Sequence, residues 1–428
     1  MHDDTRPFAI SCDATMRNNR LRLPLLILFA LLALALNLRS PLTAIAPVID
    51  QIRADLHINV TLAGLLTTIP VLCFGLLTPL ASLLISRIGI ERAIMASLIG
   101  ATLGTLLRPM GGVTMALVGT LTIGASLTVG NIVCLMVIAR DFHQRRNMAT
   151  GLYTAAINVG TMLTSALTAP LALLFGWRVA LGIWCLLAIV ALAVWGRVIQ
   201  RKRGARQPES GGPVPLKVQM SLSPLPPLTF WRQPILWYLV TAFTVHLFIY
   251  YGMTAWLPAY LTQEAGMSLA EAGLIASVFQ ITALIGSFGV PMVASLWRVP
   301  RALLLAIVGV FWMLTPAGMY YWPHQWPFWS LASGIAQGGG FTAIFMLIMD
   351  NARDLDENRR FSSAVQGVGY SLASVGPLVT GGLHTLFGNW AVSFLLLSAL
   401  SILMLAMGVG IGLMKQRDAP PPENARPE

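Results

Sequence analysis

Long runs of apolar residues alternate with short polar stretches along almost the whole chain. We identify twelve apolar segments, at residues 24–50, 60–86, 92–109, 111–140, 147–172, 176–197, 234–262, 268–296, 300–321, 326–350, 360–386 and 388–414. A helix needs about 20 such residues to cross the ~30 Å hydrocarbon core of a bilayer. Because a helix satisfies its backbone hydrogen bonds internally, the pattern predicts an all-α integral membrane protein with twelve transmembrane helices.

Composition and charge support this prediction and orient the chain. Hydrophobic residues make up 56% of it and charged residues 11%, with a mean hydropathy of +0.72, whereas soluble domains carry about 25% charged residues. Of the 28 lysines and arginines, only Arg53, Arg108 and Arg178 lie on the side opposite the others, and Arg39 lies midway along the first segment. By the positive-inside rule, both termini are expected in the cytoplasm. The net charge of +11 is therefore a topology signal, and no nucleic-acid partner is predicted.

The second half of the chain repeats features of the first at an offset of about 211 residues. Thr43-Ala44-Ile45-Ala46-Pro47 recurs as Thr254-Ala255-Trp256-Leu257-Pro258, and Gly130 recurs as Gly340. This repetition predicts two six-helix bundles in the same orientation. The predicted parts are a cytoplasmic N-terminal tail at 1–23, a first bundle at 24–197, a flexible cytoplasmic linker at 198–233, a second bundle at 234–414 and a cytoplasmic tail at 415–428.

This plan resembles the parallel repeats of the major facilitator superfamily. Four stretches resemble the cyanate transporter family, which also holds a 2-nitroimidazole exporter: Asn37-Leu38-Arg39 with Leu42-Thr43 and Pro47, Arg140-Asp141-Phe142, Gly176-Trp177-Arg178, and Gln366-Gly367-Val368-Gly369-Tyr370. The resemblance implies a secondary active transporter of the bacterial inner membrane. It would move a small anionic or electron-rich solute, such as a cyanate-like anion or a nitro-heterocycle, by alternating access. Substrate, direction and coupling ion stay open.

Arg39 is the charged residue inside the first apolar segment. A guanidinium at mid-membrane depth costs at least about 2.5–3.5 kcal/mol, and it cannot lose its proton to avoid that cost. The acidic residues fall mostly in loops and tails; Asp50 is eleven residues away, about 16 Å along a helix. We therefore predict that Arg39 binds an anionic or electron-rich group of the substrate, with a contact to a helix carbonyl or water as the alternative.

The internal repeat places Arg39 opposite Tyr250 across a central cavity and pairs Thr43 with Thr254. His246 lies one turn from Tyr250, and we predict that it contacts substrate, packs in the core or carries a proton. The two tyrosines Tyr250 and Tyr370 could line the cavity or simply pack, and the amides could join helices by hydrogen bonds. The other candidate substrate-binding residues are Asn37, Asn131, Tyr153, Asn158, Gln280, Gln337, Gln366 and Tyr370.

Other function classes fit the sequence less well. An enzyme is disfavoured because the spans contain no acid pair and no HExxH stretch, so no catalytic residue, cofactor or metal is predicted. A transporter-like sensor would need a signalling domain longer than the tails. A multidrug or organic-solute exporter of the same fold is the main alternative, although Thr120 stands where many proton-driven exporters carry arginine. The expected partners are a small-molecule substrate and the lipid bilayer, and the chain is expected to be monomeric.

Overall fold

The computed structural model describes residues 8–58, 60–204 and 228–417, and these residues form helices and short connections without a β-strand. Most of the predicted linker and of the C-terminal tail, and the first seven residues, therefore lie outside the described residues. The helices of the first half are α1 (Phe8–Asn37), α2 (Ser40–Thr43), α3 (Ile49–Leu56), α4 (Val60–Leu76), α5 (Thr78–Ile88), α6 (Ile90–Leu107), α7 (Val113–Asp141), α8 (Arg146–Gly182) and α9 (Cys185–Gly204).

The second half follows the same plan. Its helices are α10 (Leu228–Trp231), α11 (Pro234–Gln263), α12 (Leu269–Ile281), α13 (Ala283–Leu296), α14 (Arg301–Tyr321), α15 (Trp326–Asn351), α16 (Leu355–Ala373), α17 (Gly376–Phe387) and α18 (Ala391–Arg417). The helix α1 begins at Phe8, so it extends the first apolar segment back into the predicted N-terminal tail.

The prediction of an all-helical membrane protein is confirmed, with one difference in the span count. Nine helices of the described residues are long and apolar enough to cross a membrane, and a tenth is counted if α4 and α5, bent by 59°, form one span. The predicted segments 176–197 and 360–386 are each divided between two helices, α8 and α9 in one case and α16 and α17 in the other. The divided pieces are shorter or more polar than an unbroken span.

Proline and glycine mark three interruptions of the helical path. Pro41 lacks the N–H that would continue α1 into α2, and Pro377 stands at the start of α17. Gly176 has φ +79° inside α8, so the chain turns sharply there between the fifth and sixth predicted segments. A side chain at that dihedral would be strained.

Glycines also set the spacing of helices within each half. A Cβ atom on Gly119 of α7 would lie 2.6 Å from the backbone nitrogen of Arg108, at the end of α6. A Cβ atom on Gly408 of α18 would lie 2.5 Å from the backbone nitrogen of Ala306 in α14. Helix α6 therefore packs backbone-to-backbone on α7, and α14 on α18. Such close contact between helices is common in membranes, where dispersion forces replace the hydrophobic effect.

Polar contacts join the two halves at the end that the charge pattern predicts to be cytoplasmic. The guanidinium of Arg146, at the start of α8, lies 3.3 Å from the carboxylate of Asp350 in α15. Deeper in the bundle, the hydroxyls of Thr154 and Thr342 lie 2.8 Å apart. The amide of Asn158 donates to the hydroxyl of Ser287 at 3.2 Å. These contacts close this end of the interface between the halves.

Candidate substrate-binding site

Arg39 lies at the break in the first span. Leu38 and Arg39 form a turn between α1 and α2, and Arg39 has φ −127° and ψ −17°. The carbonyl of Arg39 accepts hydrogen bonds from the backbone nitrogens of Leu42 and Thr43 at 3.0 and 3.1 Å. The break positions the Arg39 side chain toward the second half of the molecule.

Four aromatic side chains surround the guanidinium of Arg39. One nitrogen donates to the phenol oxygen of Tyr370 at 3.1 Å. The guanidinium carbon lies 4.7 Å from the ring centroid of Phe341, 5.6 Å from that of Tyr250 and 6.0 Å from that of Tyr251. Distances up to about 6 Å allow cation–π attraction. All four rings belong to the second half, so this aromatic cage joins the two halves at Arg39.

The charge of Arg39 has no acidic partner among the residues that the structure describes. The salt bridges found there involve other arginines and Lys202. Uncharged phenols and ring faces stabilise a cation far less than a carboxylate does, and burial of an unpaired charge is costly. Arg39 is only half-buried, so part of its side chain remains accessible. The arrangement can therefore receive an electron-rich group beside the guanidinium.

An amide pair lies next to the aromatic cage. The Nε2 atom of Gln337 donates to Oε1 of Gln280 at 2.9 Å. The phenol of Tyr250 donates to the same oxygen at 3.5 Å, which is a long contact. The Oε1 atom of Gln337 is buried without a hydrogen-bond partner in the described chain. These amides join α12, α15 and α11, and they fix the Tyr250 side of the cage.

Several other predicted site residues carry polar atoms without partners. In the described residues, the Tyr153 hydroxyl and both amide atoms of Gln366 are buried and make no hydrogen bond. Asn131 is buried on α7 and also has no side-chain partner there. Buried polar groups are almost always satisfied by protein, water or ligand. Tyr153, Gln366 and Asn131 are therefore available to water or to a polar solute.

His246 does not face Arg39 directly. Its ring packs edge-on against Phe341 with centroids 4.6 Å apart, and Phe341 in turn lies against the guanidinium. The indole of Trp312 donates to Nδ1 of His246 at 2.9 Å. Nδ1 is thus an acceptor, which leaves the proton of a neutral ring on Nε2. A Cβ atom on Gly340 would lie 2.4 Å from Nδ1, so this glycine makes room for the imidazole.

Among the described residues, four of the predicted site residues make no hydrogen bond to the Arg39 guanidinium or to the tyrosines of the cage. The Asn37 amide donates within its own helix to the carbonyl of Ala33 at 2.8 Å, and Asn158 bonds Ser287 as described above. The Thr43 hydroxyl lies 2.8 Å from that of Thr164 on α8, because the chain leaves the helical path soon after Thr43. Thr254 is exposed on α11. Helical spacing predicts that Thr43 lies on the same face as Arg39, and the internal repeat predicts that Thr254 is the equivalent of Thr43.

Two residues of the cage were missed in the sequence. Tyr251 follows Tyr250 and would be assigned to another face of a regular helix, yet both rings lie near Arg39. Phe341 follows Gly340, and the offset that pairs Gly130 with Gly340 pairs Phe341 with Asn131. Mapping the repeat residue by residue would therefore have identified Phe341.

Arg108 is a second buried guanidinium, although the sequence places it at the outer end of an apolar segment. It is 1% exposed, and one nitrogen donates to the carbonyl of Pro41 at 2.7 Å. Its other two side-chain nitrogens have no partner among the described residues. The carbonyl of Pro41 lies where the helix after Arg39 ends, so a cation there stabilises the helix terminus. Arg108 thereby supports the break that positions Arg39.

Comparison with known proteins identifies the family. The model of the Major Facilitator Superfamily matches residues 25–374. An uncharacterized transporter of Bacillus subtilis, YycB, is 30% identical over 382 residues, which cover 89% of this chain and 91% of the relative. The 2-nitroimidazole transporter of Escherichia coli is 28% identical, covering 92% and 96%. The cyanate transport protein CynX of Escherichia coli is 28% identical, covering 88% and 96%.

A solved structure shows the same fold. The human organic anion transporter MFSD10 superimposes with a TM-score of 0.70 at 16% sequence identity, covering 90% of this chain and 99% of that one. The chain belongs to the Major Facilitator Superfamily, a family of membrane transporters. The predicted resemblance to the cyanate and 2-nitroimidazole transporters is confirmed.

Proposed function

We propose that this protein is a secondary active transporter of a small anionic or electron-rich solute, either a cyanate-like anion or a nitro-heterocycle. It works in the bacterial inner membrane by alternating access, as a monomer with both termini in the cytoplasm. The observation that carries the proposal is Arg39, a guanidinium enclosed by aromatic rings and without an acidic partner in the described residues. The names of two relatives, a 2-nitroimidazole transporter and a cyanate transport protein, support the same substrate class.

The chemistry of the cage favours this class of solute over a lipophilic cation. A cation would be repelled by Arg39, and among the described residues no carboxylate lies beside the cage to attract it. An oxyanion or a nitro group accepts hydrogen bonds from guanidinium nitrogens in a planar, two-point geometry. The neighbouring rings can stack on a flat heterocycle. Tyr153 and Gln366 supply further polar atoms that have no hydrogen-bond partner in the part of the chain that the structure describes.

Alternating access follows from where the cage lies between the halves. Arg39 comes from the first half and its four rings from the second, so rocking of one half against the other changes the cage. The contacts of Arg146, Thr154 and Asn158 close the interface on the predicted cytoplasmic side. These contacts support the inference that the described arrangement is a state closed to the cytoplasm. We infer that His246 packs within this second half, held at Nδ1 by Trp312, while its Nε2 is buried without a hydrogen-bond partner in the described residues.

Binding to purified protein tests the substrate class. Cyanate, nitrate, small carboxylates and nitroimidazoles are titrated by calorimetry into the wild type, Arg39→Ala and Arg92→Ala. Arg92 is an exposed arginine in the first turn of α6, in the same half, so it controls for the general loss of a positive charge. We expect at least one of these solutes to bind the wild type and Arg92→Ala but not Arg39→Ala. Equal binding to all three proteins would contradict the proposal, and so would preferential binding of an organic cation.

A further inference from the structure

A basic cavity opens at the predicted cytoplasmic end, where the start of α8 meets α13 of the other half. Its volume is about 710 Å³. The polar part of its wall includes Arg145, Arg146 and Arg301, and the apolar part includes Phe288 and Met292. The residues that line the cavity do not include any residue of the aromatic cage. The proposed transport mechanism assigns this cavity no ligand.

The cavity carries an excess of positive charge. Arg146 and Arg301 share the carboxylate of Asp350, while Arg145 is exposed and its guanidinium has no partner among the described residues. Helix α8, which is 37 residues long, begins here without an acidic residue in its first turn and without a side-chain cap. The cavity therefore holds three guanidinium groups and an uncapped helix N-terminus, but only one carboxylate. This excess of positive charge favours the binding of an anion.

An apolar stripe continues from this basic cluster along the outside of α13. Phe288, Met292 and Leu296 recur every four residues, and they are 47%, 55% and 69% exposed. They lie in the apolar span Val278–Leu296, so their exposed faces point to the hydrocarbon region of the bilayer. Leu296, the last residue of the stripe, lines the same cavity as Arg145, Arg146 and Arg301. A lipid has the same order, with an apolar acyl chain that ends at a polar head group.

We propose that this cavity binds one anionic phospholipid of the inner leaflet. Its phosphate contacts Arg145 with Arg146 and Arg301, and an acyl chain lies along Phe288, Met292 and Leu296. A soluble phosphate compound would use the basic cluster but gain nothing from the apolar stripe. Basic pockets between helices on the cytoplasmic side are suited to acidic head groups.

Native mass spectrometry of the delipidated full-length protein in detergent tests this site. Phosphatidylglycerol and phosphatidylcholine with the same acyl chains are titrated separately. We expect one molecule of phosphatidylglycerol to bind about tenfold more tightly than phosphatidylcholine. Arg145→Gln should weaken that binding about fivefold, because each basic residue near an anionic lipid surface contributes about that factor. Arg92→Gln, which removes an exposed arginine in the first turn of α6, should leave it unchanged.

A second variant distinguishes a lipid from a soluble anion. Met292→Gln interrupts the apolar stripe and should weaken phosphatidylglycerol binding, while sn-glycerol 3-phosphate at the same concentration should fail to displace the lipid. Equal affinity for the two lipids, or equal binding by wild type and Arg145→Gln, would overturn the proposal. Displacement by sn-glycerol 3-phosphate together with full binding by Met292→Gln would assign the cavity to a soluble phosphate compound, which would also overturn it.

Discussion

Replacing Tyr370 by phenylalanine isolates the hydrogen bond that the Arg39 guanidinium makes within the described part of the chain. The ring packs against Phe74 and Phe243 with centroids 5.1 and 5.3 Å apart, and Tyr370 is 2% exposed. Phenylalanine keeps that packing, so no large cavity forms. The change removes the phenol oxygen 3.1 Å from the guanidinium. A hydrogen bond to a charged group contributes about 1.5–3 kcal/mol, and the empty protein should lose stability by that amount.

The bound protein should respond in the opposite sense. If an anion binds beside Arg39, it can accept the hydrogen bond that Tyr370 no longer accepts. Cyanate, used as the probe, should therefore stabilise Tyr370→Phe more than it stabilises the wild type. The assay is thermal unfolding in detergent, with and without saturating cyanate, followed by intrinsic tryptophan fluorescence.

Tyr260→Phe is the matched control. Its phenol is also buried, and it donates to the carbonyls of Met319 and Tyr320 at 3.2 and 2.9 Å, away from Arg39. This variant should lose stability too, but cyanate should stabilise it only as much as the wild type. Equal responses of the two variants to cyanate would show that Tyr370 has no special relation to the anion. Unchanged stability of Tyr370→Phe would refute the hydrogen bond itself.

Three further predictions test the packing and the motion. Gly340→Ala should destabilise the protein by about 1–3 kcal/mol, because the new Cβ would lie 2.4 Å from the imidazole of His246. Thermal unfolding measures this loss, and Gly289→Ala is the control, since nothing lies within 4 Å of that Cβ position. Arg108→Ala should lower thermal stability and solute affinity together, since it frees the carbonyl that holds the broken first span, and retained affinity would exclude a positioning role. The double variant Thr154→Cys with Thr342→Cys places two thiols where the hydroxyls lie 2.8 Å apart. Oxidation to the disulfide should stop transport in proteoliposomes, and reduction should restore transport. Full flux through the crosslinked protein would argue against rocking of the halves.

The internal repeat predicts one contact of the candidate site from sequence alone. An offset of about 211 residues placed Arg39 opposite Tyr250, and the structure brings the guanidinium within 5.6 Å of that ring. The offset works because symmetric halves place equivalent residues at equal depth. The offset is read from a few short motifs that recur in both halves. It can therefore be recognised even where the other residues of the two halves differ.

The breaks in the helices limited what periodicity could predict. Helical spacing places Thr43 one turn after Arg39, and its hydroxyl does donate to the Arg39 carbonyl at 3.3 Å. The same hydroxyl lies 2.8 Å from that of Thr164 on α8, a contact that the spacing does not predict. The contact between Arg39 and Tyr370 joins residues 331 positions apart, and no local pattern marks such a pair. The sequence leaves His246 open as a substrate contact, a packing residue or a proton carrier, because its partner Trp312 lies on a different helix and no local pattern marks that pair.

The guanidinium of Arg39 is the centre of the proposed mechanism, and Arg39→Lys tests it most directly. Lysine keeps the positive charge but loses the planar pair of donors. Uptake of radiolabelled cyanate or nitroimidazole into proteoliposomes is compared for the wild type, Arg39→Lys and the exposed control Arg92→Lys. Loss of one charge-assisted hydrogen bond, about 1.5–3 kcal/mol, predicts at least tenfold lower transport by Arg39→Lys and none lost by the control. Transport by Arg39→Lys at the wild-type rate and affinity would contradict recognition of the solute by this arginine.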